Sequence, residues 1–79
     1  MRADICDPND QEAVAKLRRV LRGLGAELED KNWAIGVDLY RFKIGDAELL
    51  VFCDEWSVDI EGSDDLVQKI STEFAQHVA

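Results

Sequence analysis

Tyr40-Arg41-Phe42-Lys43-Ile44-Gly45-Asp46-Ala47-Glu48-Leu49-Leu50-Val51 decides the fold, because two runs of period two meet there at a two-residue break. Alternation puts successive side chains on opposite faces of a strand. Gly45-Asp46 has the length and chemistry of a type I′ or II′ hairpin turn. A two-residue loop sets the register at once. One face pairs Ile44 with Ala47, Phe42 with Leu49, Tyr40 with Val51 and Asp38 with Cys53. The other pairs Lys43 with Glu48, Arg41 with Leu50, Leu39 with Phe52 and Val37 with Asp54.

Working outward, β-branched and aromatic residues with Gly-containing breaks continue from Ala26 to Gly62. A short strand is expected from Ala26 to Asp30, with a turn at Lys31-Asn32. A longer strand, or a strand with a break, then runs from about Trp33 to Ile44, with Gly36 read as a bulge, and a third strand from Ala47 to Asp54. Trp56, Val58 and Ile60 alternate with polar residues up to Gly62, which fits a fourth strand.

On the N-terminal side, Asp7 followed by Pro8 reads as a helix cap with Pro at the first helical position. Val14, Leu17, Leu21 and Leu24 share an arc with Ala13 and Val20, predicting a helix over residues 8–23 that ends at Gly23 or Gly25. On the C-terminal side, Ser63 caps a second helix whose apolar arc is Leu66, Val67, Ile70, Phe74 and Val78. The expected fold is α+β: a helix, three or four antiparallel strands and a helix, with both helices packed on one face of a single sheet and residues 1–79 forming a single domain.

Composition narrows the function classes. The chain has 79 residues, with 9 Lys and Arg against 17 Asp and Glu, for a net charge of −8. That balance argues against general binding to nucleic acid or an anionic membrane, since no basic field exists to release counterions. A hydrophobic content of 47% supports a packed core. The first residues hold no apolar run of signal-peptide type and no stretch reads as membrane-spanning, so a cytoplasmic location is expected. Cys6 and Cys53 lie far apart without metal-ligand spacing, and two thiols are expected rather than a disulfide.

No catalytic constellation, metal set or cofactor motif is legible. Glu73 and His77 lie four apart on the last helix, half a metal site at most. Trp33 and Trp56 are expected to complete the core, or to anchor a partner where exposed. Three surfaces stand out. Between Ile44 and Asp65 there are eight acids and no Lys or Arg, and Asp54, Glu55, Asp59 and Glu61 form a candidate patch for a basic protein. Arg18, Arg19 and Arg22 form a basic helix face on the side away from Leu17 and Leu21. Val37, Leu39, Leu50 and Phe52 share the sheet face expected to lack helices and are candidate residues of a dimer interface. The resulting expectation is a small, acidic, non-enzymatic protein–protein interaction domain, homodimeric through that face and without a cofactor. Two alternatives are an inhibitor or immunity-type protein that masks a basic enzyme surface, and a small enzyme or ligand-binding domain built from carboxylates.

Overall fold

The computed structural model describes residues 1–34 and 36–76, the side chains of Trp33 and Ala34 excepted. The expectations for His77 and Val78, and for the side chain of Trp33, lie outside the described residues. The chain is α+β, with a five-stranded antiparallel sheet and two helices. In chain order these are β1 (Arg2–Cys6), α1 (Gln11–Gly23), β2 (Glu27–Ala34), β3 (Val37–Ile44), β4 (Ala47–Asp54), β5 (Val58–Glu61) and α2 (Asp64–Gln76). The sheet order is β1-β5-β4-β3-β2.

The β3–β4 hairpin has the register that its turn implies, from Ile44↔Ala47 through Val37↔Asp54. Gly45 has φ +60°, and no non-glycine residue among those described has positive φ, so the turn follows the II′ pattern. Both helix ends follow local chemistry. The N–H of Gly25 (φ +76°) donates to the carbonyl of Arg22, and the N–H of Ala26 donates to that of Leu21. Those two bonds are the Schellman pair, and they satisfy carbonyls that the helix leaves open. At α2, the Ser63 hydroxyl accepts from the N–H of Leu66 at 3.3 Å.

Four expectations are corrected. A strand precedes the first helix, and there are five strands rather than three or four. β1 is short, with Ala3, Ile5 and Cys6 packed against the core; its ladder forms with β5 through Arg2↔Glu61 and Ala3↔Ile60. The first helix starts at Gln11, because Asp7 and Pro8 are spent in a turn in which the N–H of Asp10 donates to the Asp7 carbonyl. Asp10 is the true cap, its carboxylate accepting from the N–H of Ala13 at 3.1 Å. No turn occurs at Lys31-Asn32: β2 runs through it, with an irregularity between Leu28 and Asp30, and the reversal falls at Gly36 (φ +79°), which is a turn residue rather than a bulge. Finally, β5 begins at Val58, because Glu55 and Trp56 belong to the turn before it.

One buried cluster joins Leu17, Val20 and Leu21 of α1, Val67 and Ile70 of α2, and Leu49, Val51, Val58 and Ile60 of the sheet. The sheet members lie on one face, since Val51 pairs with Ile60 and Leu49 is two residues from Val51. Cys6 and Cys53 both lie opposite Val58, one on either side of β5. Two strand spacings separate them by about 10 Å, beyond the roughly 7 Å Cα limit for a disulfide, and both are free thiols.

Candidate interaction surface

The face of the sheet turned away from the buried cluster carries the surface of interest. Arg2 and Asp4 of β1, Asp59 and Glu61 of β5, Glu48, Leu50, Phe52 and Asp54 of β4, and Val37, Leu39, Arg41 and Lys43 of β3 all fall on it by register. Glu27 and Asp30 of β2 extend it, opposite Lys43 and Arg41. Leu39, Leu50 and Phe52 form its centre. Each is half-buried, and none belongs to the cluster of described residues that packs the helices on the sheet.

Pairing of β5 with β4 brings Asp59 and Glu61 to the edge of this apolar centre. Phe52 is the cross-strand neighbour of Asp59, and Leu50 of Glu61. The acidic residues are the rim of the apolar centre. Three bases (Arg2, Arg41, Lys43) face seven acids (Asp4, Glu27, Asp30, Glu48, Asp54, Asp59, Glu61), so this single face carries 3 − 7 = −4 of the chain's charge.

Individual side chains on the face play different parts. Arg2, which no local pattern singled out, holds Asp59 through contacts of 2.9 and 3.1 Å to Oδ2, and its guanidinium lies 4.3 Å from the centre of the Phe52 ring. This roofs Phe52 and neutralises one acid of the expected patch. Asp59 Oδ1 is shielded from solvent without a hydrogen-bond partner among the described residues. Arg41 stands 3.9 Å from Glu48 across the hairpin, both side chains well exposed; such a pair stabilises little. Asp54 is a turn former: Oδ1 accepts from the N–H groups of Trp56 and Ser57 at 2.7 and 2.8 Å. Those two donors hold its carboxyl below the usual carboxylate range. Glu55 is exposed beside it, and Glu61 is half-buried.

Two features lie away from this face. Arg18, Arg19 and Arg22 are exposed on α1, but Arg18 does not point away from Leu17 and Leu21. It joins them in lining an apolar groove of about 140 Å³ between α1 and the inner face of β3 and β4, with Val14, Tyr40, Phe42 and Cys53 among the other walls. Trp56 corrects the expectation that it completes the core, being 83% exposed. A signal for this was present in Asp54-Glu55-Trp56-Ser57, since Asp two residues before a polar break favours an Asx-type turn.

A carboxyl held ionised, as at Asp54, is a poor proton donor near neutrality. Burial is the first cause that pushes both Cys6 and Cys53 above the usual thiol range, followed by nearby carboxylates. That is opposite to the shift that activates a nucleophilic cysteine. Among the described residues no three His, Cys, Asp or Glu gather at metal-binding distance, and no helix is long and apolar enough to cross a membrane. Comparison with protein-family models, curated proteins and solved structures returned no match.

Proposed function

We propose that this chain is a protein–protein interaction domain that docks through the helix-free face of its sheet onto a partner surface rich in Lys and Arg. The observation that carries the reading is the placement of Leu39, Leu50 and Phe52 at the centre of an uncovered face whose rim is predominantly acidic. An apolar centre excludes water and supplies affinity, while a charged rim steers encounter and rejects wrong partners. Two copies of this face brought together would oppose like charges, so a basic partner suits it better than a second copy. An inhibitor that covers the cationic groove of an enzyme would work in this way. The reading calls for no cofactor, and the two separated thiols suit a reducing compartment such as the cytoplasm.

The test uses three forms of the purified protein as capture bait: the natural sequence, Leu39→Ser with Phe52→Ser, and Glu48→Lys with Glu61→Lys. These side chains lie outside the buried cluster, so the fold survives both changes. A protein retained by the natural sequence must be lost from both variants, and its affinity must fall as salt rises. A partner that binds all three forms alike refutes the reading.

A further inference from the structure

We propose that the chain self-associates through a surface separate from that face: Trp56 of each copy enters the apolar groove under α1 of a second copy, with Glu55 of the inserting turn meeting Arg18 at the groove's mouth. Two features of one molecule, each without a partner among the described residues, match each other. The first is Trp56, 83% exposed, on a turn whose geometry is held by both Asp54 hydrogen bonds and by the Asp54 N–H donating to the Ser57 carbonyl at 3.1 Å. An indole presented on an ordered turn pays little conformational entropy on docking. The second is the groove, about 140 Å³ and open on one side. That is close to the roughly 150 Å³ of an engineered apolar cavity that holds benzene, and the open side leaves room for the rest of the larger indole. Tyr40 and Phe42 supply stacked aromatic walls, with ring centres 6.4 Å apart.

Charge selects the occupant. Arg18 is the one charged side chain among the groove's lining residues, on a chain whose net charge is −8. The Trp56 turn carries the complementary sign in Glu55, which is exposed. Position selects the symmetry. Cys53 and Val58, which line the groove, flank the turn that bears Trp56. Each copy thus presents its indole beside its own groove, and one two-fold axis lets both indoles exchange at once. The sheet's outer face is left free, so the inference stands apart from the function proposed above.

The experiment is sedimentation equilibrium of the full chain from micromolar to millimolar concentration. The natural sequence is expected to show a monomer–dimer equilibrium. Trp56→Ala weakens it about tenfold or more, the scale of an aromatic interface anchor, and Trp56→Phe weakens it less. Arg18→Glu and Glu55→Arg each weaken association, and the two together restore it. Leu39→Ser with Phe52→Ser leaves it unchanged. A monomer at every concentration overturns the proposal, as does a dimer that persists in Trp56→Ala. Failure of the double charge reversal to restore association removes the Arg18 groove as receptor. A dimer abolished instead by Leu39→Ser with Phe52→Ser assigns self-association to the sheet face and likewise overturns it.

Discussion

Replacing Leu49 by Ala and, separately, its chain neighbour Leu50 by Ala discriminates the two faces of β4. Leu49 is 0% exposed and belongs to the buried cluster, with its Cδ1 close to Gly62. Truncating a fully buried Leu costs about 2–5 kcal/mol, and for a fully buried member of a cluster drawn from both helices and the sheet the expected loss is about 3–4 kcal/mol. Leu50 lies on the helix-free face and is only half-buried, so its loss of burial costs about 1 kcal/mol. For a chain of 79 residues, typical stabilities of 0.05–0.15 kcal/mol per residue give a total of about 4–12 kcal/mol. Leu49→Ala therefore removes a large share of it and lowers Tm by at least about 12 °C, against about 4–8 °C for Leu50→Ala. Urea unfolding followed by far-ultraviolet circular dichroism at low protein concentration measures both. Equal costs, or a larger cost at Leu50, would invert the face assignment, and the interaction surface proposed on the Leu50 side would fall with it.

The pH dependence of two groups supplies further checks. Asp54 has a folded-state pKa below its ordinary value near 3.8 because the N–H groups of Trp56 and Ser57 bind the carboxylate. A lowered value means that the stabilisation is present above the ordinary pKa and is lost as pH falls through the lower folded one. Titration by carbon-detected NMR should give an Asp54 midpoint under its ordinary value, with the Trp56 and Ser57 amide shifts moving alongside it; a midpoint at or above that value contradicts the turn geometry. Cys6 and Cys53 have pKa values raised above 9.0, first by burial and then by neighbouring carboxylates. Their contribution is present below the unfolded value and is lost as pH rises through the folded one. Iodoacetamide at pH 8 should therefore alkylate both thiols far more slowly in the native protein than in denaturant, and a native rate equal to the denatured one would count against their placement.

The hairpin at Gly45-Asp46 was legible because its information is local. Two residues of turn join two alternating runs, and the II′ geometry leaves one register, which the structure reproduces pair for pair. The end of α1 at Gly25 and the Ser63 cap were readable for the same reason: each is a bond between residues within a few positions of one another. The start of α1 was misplaced because Asp7 and Asp10 carry the same capping chemistry. Which one caps depends on whether Pro8 enters the helix or the turn before it.

Local chemistry alone thus determined the central hairpin, the class of fold, the two apolar helix arcs and the acidic character of the chain. Tertiary structure decided the rest. Arg2-Ala3-Asp4-Ile5 alternates polar and apolar residues over only four positions, too short a run to fix a strand without its partner; pairing with β5 makes it one and brings Arg2 to Asp59 across 57 positions of sequence. That pairing, with β5 beside β4, merges the acids and the apolar centre into one surface. Trp56 stays in solvent because Asp54 spends its carboxylate on the turn that carries it. Periodicity reports which side of its own strand a residue occupies, whereas the neighbours it meets there depend on pairings between distant segments, whose register is settled by burying one common core.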